Sequence, residues 1–272
     1  MSRAFVETTV LADALLKPGP RANLAKAAIR GFQESLLPVY AIKEFKAGPL
    51  HHYVWFHGKL VTTNSWAKTL GQLRKTAMSS FKSRWVSTAV EALEAAAVKN
   101  RYETLGQLRQ KYGDIATEDA VICDRYRYSL RLIIMRGWKS RRRLTSHVVG
   151  ELECYVEGEL VEEHGLIELG EIHCCPKDEC ALAADLRREP EILEAMRKAT
   201  DGQPSKLENV RRSQVLSDLI RIPNRKLTPK ECRYLGDAVF AFFCPADATI
   251  LTTNERDLRP LAEALNKNVQ TP

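Results

Sequence analysis

Asp237 opens the most chemically suggestive pattern in this 272-residue chain. It heads the apolar run Ala238–Cys244 within LGDAVFAFFCPADATILTTNERDLRPL, residues 235–261. Pro245, Ala246 and Asp247 end that run. A short β-prone segment, 248–252, follows, and then a polar cluster containing Thr252, Asn254 and Asp257. A helix feeding a buried strand with polar groups at its exit is the wiring of an open α/β sheet, whose sites lie outside the carboxyl ends of the strands. Asp237 and the Asn254/Asp257 cluster are thus placed to face one crevice. The other end of the chain offers two more acids. Glu7 lies between apolar residues and Thr8-Thr9, and Glu44 stands in a helix-like context within PVYAIKEFKAG, residues 38–48. Carboxylates brought together repel and need a compensating cation. Oxygen ligands of this hardness suit Mg²⁺ or Mn²⁺. Any one of these acids taken alone reads more simply as a surface charge or a helix cap. The chemistry belongs to the set.

The order of the pieces says more than any single piece. VETTVL (6–11), AIKEFKAG (41–48), GDAVFA (236–241) and ILTTNERDL (250–258) succeed one another as the motifs of PIN-domain nucleases do. At its two ends the chain resembles that family. The resemblance implies a three-layer α/β/α fold with a central parallel sheet, and metal-dependent hydrolysis of phosphodiester bonds, with RNA preferred over DNA. It implies that Glu7 and Asp237 ligate the metal directly and that Glu44 holds the metal or a metal-bound water. Asp257 completes the acidic set beside Asn254. Thr252 positions the loop or a phosphate, with Thr8 adjacent. Relatives act as toxins with inhibitory protein partners, in RNA processing or in anti-phage defence, so a protein partner or a homo-oligomer is compatible with the resemblance.

The chain departs from the family in two ways. Glu7 stands where the family carries Asp, which lengthens the side chain by one methylene. Glu44 and Asp237 are also separated by most of the chain, which implies a mainly helical insert with a small β element over 59–203, between PIN-like halves 1–58 and 204–272. Two other readings stay open. One is a non-catalytic nucleic-acid-binding or scaffold protein on a decayed nuclease fold, motivated by Glu7. The other is a zinc-organised adaptor.

The elements that must position the acids follow from periodicity and punctuation. Residues 4–11 read as a buried strand and 22–36 as a helix stopped by Pro38. Residues 39–56 read as a short strand leading into the helix of Glu44. Helical patterns cover 66–98, 104–112 and 117–135, the last stopping before Gly137. The segment 151–171 is rich in Glu and lacks Lys and Arg. Its alternation and its glycines, Gly158 and Gly165, suit short strands or a hairpin. Its acids read as a solvated face, or as a mask for the basic surface or a docking face for a partner. A helix interrupted at Pro190 is expected to run to Asp201-Gly202, followed by a linker at 203–205. Another helix spans 207–222, and Thr228 to Glu231 cap the helix that carries Asp237.

Composition bounds the class. Hydrophobic content of 44% and charged content of 28% suit a globular chain with a sizeable core. A net charge of +7 leans toward a polyanionic partner. The best surface for one is the basic–aromatic block of Arg125, Tyr126, Arg127, Tyr128 and Arg131, continuing through Arg136, Trp138, Lys139, Arg141, Arg142 and Arg143. Phosphates need such cations and unpaired bases stack on such rings. The alternative is a solvated helix face with Tyr126 and Trp138 in the core. Acids inside the N-terminal apolar region argue against a secretory signal, and no apolar run is long enough to span a bilayer, so no membrane partner is expected. Seven irregularly spaced cysteines read as reduced thiols in the cytoplasm. Cys175 and Cys180, with His173 and Cys174, make half of a structural zinc motif. With Cys154 and His164 upstream but no clear second pair, buried free thiols are the preferred reading. His51, His52 and His57 read as a solvated or packed cluster.

Overall fold

The computed structural model describes residues 2–77, 83–99, 110, 113, 118–150, 158, 160–170, 180–201 and 207–272. In chain order the strands are β1 (Arg3–Val6), β2 (Glu34–Pro38), β3 (His147–Val149), β4 (Leu160–Glu163), β5 (Leu166–Leu169), β6 (Ala248–Leu251) and β7 (Asn268–Gln270). The helices are α1 (Thr8–Leu16), α2 (Gly19–Arg30), α3 (Val39–Phe45), α4 (His51–Thr63), α5 (Trp66–Ala77) and α6 (Ser83–Lys99). They continue with α7 (Glu118–Ser140), α8 (Ala181–Arg187), α9 (Pro190–Asp201), α10 (Leu207–Arg221), α11 (Pro229–Phe243) and α12 (Glu255–Glu263).

Five strands form one sheet in the order β3-β2-β1-β6-β7, all parallel. The central strand β1 registers Phe5 against Leu36 on one side and Ile250 on the other. Ala4, Phe5 and Val6 are all buried, and so are Ile250 and Leu251. Continuous apolar strands of this kind belong to a sheet covered on both faces. Helices α1, α2, α3 and α7 pack on one another, and α9, α10, α11 and α12 form a second packed series. The result is a three-layer α/β/α fold, as expected.

Several boundaries differ from the sequence reading, each for a local reason. The strand expected over 4–11 stops at Val6, because the Glu7 side chain accepts a hydrogen bond from the Thr9 N–H and caps α1. The β-branched Thr8, Thr9 and Val10 then enter a helix. The helix expected over 22–36 begins at Gly19 with Pro20 in its first turn and ends at Gly31. Leu36 and Leu37 go to β2 instead. No strand follows Pro38: α3 starts at once, and a π-helical turn at Lys46–Leu50 joins it to α4. Pro49 sits inside that turn, whose wider spacing absorbs a residue that cannot donate a backbone hydrogen bond.

α7 does not stop before Gly137. A Cβ at that position would stand 3.1 Å from Leu16 Cδ2 and 3.5 Å from the Leu15 carbonyl. Gly137 is therefore a close-approach residue against α1. The stretch expected as an insert, 59–203, supplies both this helix and the edge strand β3, so it shares the central sheet. The acidic segment contains the expected hairpin: β4 and β5 pair antiparallel, turned by His164 and Gly165, both at positive φ. Apart from Gln110, which is helical, the helix expected over 104–112 lies outside the described residues, as do residues 151–157. Among the described residues, no helix is long and apolar enough to cross a membrane.

Candidate active site

The parallel wiring brings the ends of β1, β2 and β6 to one edge of the sheet, and the acids follow those ends. Glu7 is the first residue past β1. Its N–H donates to the Leu251 carbonyl at 3.0 Å, so its backbone is tied to the neighbouring strand. Its Oε2 accepts from the Thr9 N–H at 3.0 Å, from the Thr9 hydroxyl, and from the Thr252 hydroxyl at 2.9 Å. Thr252 is fully buried; its hydroxyl also accepts the Asn254 N–H at 2.8 Å. The Thr253 N–H donates to Thr9 Oγ1 at 3.0 Å. A hydroxyl has one hydrogen to give and two lone pairs to fill. Thr252 thereby couples the Glu7 carboxylate to the backbone that starts α12.

Glu44 comes from α3. Its Oε2 accepts the Thr8 hydroxyl at 2.9 Å. One turn earlier, the Tyr40 hydroxyl donates to the Cys232 carbonyl at 3.2 Å, and the Tyr40 ring meets Phe240 edge-on with centroids 5.4 Å apart. These contacts press α3 against α11 at Gly236. A Cβ on Gly236 would lie 2.9 Å from Glu44 Oε1.

Asp237, next along α11, takes the Asn254 side-chain amide on Oδ1 at 3.3 Å and the Arg212 guanidinium on Oδ2. Arg212 is 6% exposed. It is held by its Nε on the Tyr234 carbonyl at 2.9 Å and its Nη1 on Asn209 Oδ1 at 3.2 Å.

The acids sense one another. Burial pushes the Glu7 carboxyl up to about 7; the Thr9 and Thr252 hydrogen bonds oppose this and the charge of Asp237 adds to it. Burial pushes Glu44 up to about 8, reinforced by Glu7 and Asp237 and opposed by the Thr8 and Tyr40 hydroxyls. Asp237 is also raised, by burial first, with Arg212 pulling it down and Asp257 pushing it up. The four candidate acids therefore belong to one electrostatic cluster, in which Asp257, in the first turn of α12, acts on Asp237.

The donor set fits a hard divalent cation in kind. It consists of carboxylate and hydroxyl oxygens, two of the carboxyls are driven toward their neutral forms by burial and mutual repulsion, and Gly236 keeps the space beside Glu44 clear. It is not a closed cage: among the described residues, no three His, Cys, Asp or Glu side chains already converge as ligands of one ion. The cation paired with Asp237 is Arg212. No family model matches this chain, and searches of curated proteins and of solved structures give no significant match.

The basic block is divided. Arg127 pairs with Asp124 at 2.5 Å, and Arg131 grips Glu162 of the hairpin through two hydrogen bonds of 2.7 Å each. Tyr126 stacks on Trp66 at 4.7 Å, Trp138 is buried, and Arg141 lies over its ring at 3.5 Å. The packed alternative thus describes both aromatics, while Tyr128 is 60% exposed. Arg125 is half-buried, and Arg136, Lys139, Arg142 and Arg143 are exposed. The run Arg141–Arg143 leads into β3, so it stands at the amino edge of the sheet, opposite the acids.

His57 is buried with neither ring nitrogen hydrogen-bonded, and His52 shares a hydrogen bond with Thr88. Cys180 is a buried free thiol ahead of α8. His173, Cys174, Cys175 and Cys154 lie outside the described residues.

Sequence reasoning missed Arg212 and Thr9. For Arg212 a signal existed. Arg212, Val215, Leu216 and Leu219 fall on one buried stripe of α10, and an arginine on an apolar stripe calls for an acid across the interface.

Proposed function

We propose that this protein is a divalent-metal-dependent nuclease that hydrolyses phosphodiester bonds, with RNA the favoured substrate. One observation carries the reading. Glu7, the first residue past β1, and Glu44, on α3, are held through adjacent threonines: Thr9 and Thr252 donate to Glu7, Thr8 donates to Glu44, and Glu44 faces Gly236, the neighbour of Asp237, while burial pushes both carboxyls up. Glu7, Glu44 and Asp237 would hold Mg²⁺ or Mn²⁺. Such an ion, when bound, lowers the pKa of a water and stabilises charge on the scissile phosphate.

The chain's own groups supply orientation. Thr9 and Thr252 fix the Oε2 oxygen of Glu7. Thr8 does the same for Glu44. Asn254 and Arg212 set the plane of the Asp237 carboxylate, and the charge of Asp257 adds to it. A carboxylate held within a fraction of an ångström contributes far more than a mobile one, because the reacting geometry is prepaid.

The test is cleavage of a labelled RNA in Mn²⁺. Activity that is lost on chelation and in Asp237→Asn supports the proposal. A second reading, a catalytically weak nucleic-acid-binding scaffold, draws support from the Arg212–Asp237 pair, which already neutralises one acid. RNA binding without cleavage in any divalent ion selects it.

A further inference from the structure

We propose that Arg212 is a resident cation of the acid cluster: it holds Asp237 when no metal is bound and lowers the site's affinity for a divalent ion. The inference rests on the metal-dependent reading above. An arginine this deep must be paired, and a charged group left alone at that depth is strongly destabilising. Two of its three hydrogen-bonded anchors do not involve Asp237. Its Nε is on the Tyr234 carbonyl and its Nη1 on Asn209, itself 4% exposed. The planar guanidinium is thus fixed by α10 and α11 whatever Asp237 does.

Among the described residues, Glu7 and Glu44 have no such companion. The groups that stabilise the charged forms of Glu7 and Glu44 are hydroxyls and a backbone N–H, while the neighbouring charges that act on them are carboxylates. Compensation is therefore one-sided, at Asp237. A divalent ion drawn to Glu7 and Glu44 meets a fixed positive charge on the side where its third carboxylate lies. It must share Asp237 with the guanidinium or take it away. A unit charge held a few ångströms off in a partly desolvated site weakens cation binding by at least about tenfold.

The experiment is a Mn²⁺ titration, by calorimetry and by the electron paramagnetic resonance signal of unbound Mn²⁺. It uses the full chain and the Arg212→Met, Arg212→Lys and Asp237→Asn variants at one pH. Arg212→Met is expected to bind at least about tenfold more tightly than wild type, and Arg212→Lys, which keeps the charge, within about threefold of it. If Arg212→Met unfolds without metal, recovery of the native circular dichroism on adding Mn²⁺ equally supports the proposal, since the ion then replaces the lost charge. Wild-type-like affinity in Arg212→Met, or a variant unfolded even in Mn²⁺, overturns it and leaves the metal site standing if Asp237→Asn alone abolishes binding. Absence of Mn²⁺ binding in every protein removes the metal-dependent reading, and this inference with it.

Discussion

Gly236 makes room for Glu44: a methyl at position 236 would stand 2.9 Å from Glu44 Oε1, inside the contact distance of carbon and oxygen. The glycine next to Asp237 is therefore explained by the acid on the facing helix. Gly236→Ala is expected to displace the Glu44 carboxylate while leaving the helix at least as stable, because alanine gains about 1 kcal/mol of helix propensity over glycine. Displacement of a ligating group by about 1 Å costs on the order of 100-fold in rate. Thermal unfolding together with RNA cleavage rates in Mn²⁺ checks this. An unchanged cleavage rate would mean that Glu44 is not part of the machinery.

The raised carboxyls set the sign of a pH effect on stability. A carboxyl whose folded pKa lies above its ordinary value of 4.5 stabilises the fold fully below that value, and the contribution is lost as pH rises through the folded pKa. With Glu7 near 7 and Glu44 near 8, metal-free protein loses stability between about pH 5 and 8. The effect is on the order of 3 kcal/mol for one such carboxyl, and the coupled pair titrates jointly, so the two do not simply add. Chemical denaturation in chelator across that range should show the decline, Glu7→Gln should flatten it, and Mn²⁺ should reverse it. Stability that rises steadily to pH 8 in chelator would contradict the burial of these acids.

Thr252 is the next group to test. Its hydroxyl gives its hydrogen to Glu7 and accepts the Asn254 N–H. Thr252→Val keeps the shape and removes both bonds, leaving a part-buried N–H and a carboxylate oxygen short of a partner. The expected loss is about 1–3 kcal/mol of stability. Glu7 loses a stabilising donor, so the pH at which Mn²⁺ binds half-maximally should move upward. A variant with wild-type stability and an unmoved pH midpoint would show that this network does not hold Glu7.

The contact at Gly137 checks whether the middle of the chain belongs to the central body. Gly137→Val places bulk against Leu16 and the Leu15 carbonyl, and overpacking of this kind costs about 1–3 kcal/mol. Equilibrium denaturation should report the loss in one cooperative transition shared by both ends of the chain. A separate transition for the middle segment would restore it as an independent insert.

The ends of the chain were legible because their signals are local. Thr228 and Glu231 form the capping box that their spacing announces, and α10 ends at Arg221, one residue short of its expected end at Ile222 before Pro223. The Asp237–Asn254 contact follows from reading a helix, a turn and a strand in order. What escaped depends on partners far along the chain. Glu7 reads as part of a β-prone run until its side chain is seen to cap α1. Leu36 and Leu37 look like the end of a helix until β1 is there to pair with them. Gly137 looks like a stop signal until Leu16 lies against it. Arg212 sits on an apolar stripe that hinted at a buried charge, but its acid is on another helix. The positions of Arg127 and Arg131 show the same limit: in sequence they form a basic stripe, and in the fold both are paired with acids.

The central claim is that the acids from both ends of the chain share one hard cation. Crystals grown with Mn²⁺ and measured for anomalous scattering test it most directly. A single strong peak is expected within about 2.0–2.4 Å of carboxylate oxygens from Glu7, Glu44 and Asp237, the bond length that oxygen-ligated ions of this size require. A peak elsewhere, or ordered carboxylates at these three positions with no peak between them at saturating Mn²⁺, would contradict it.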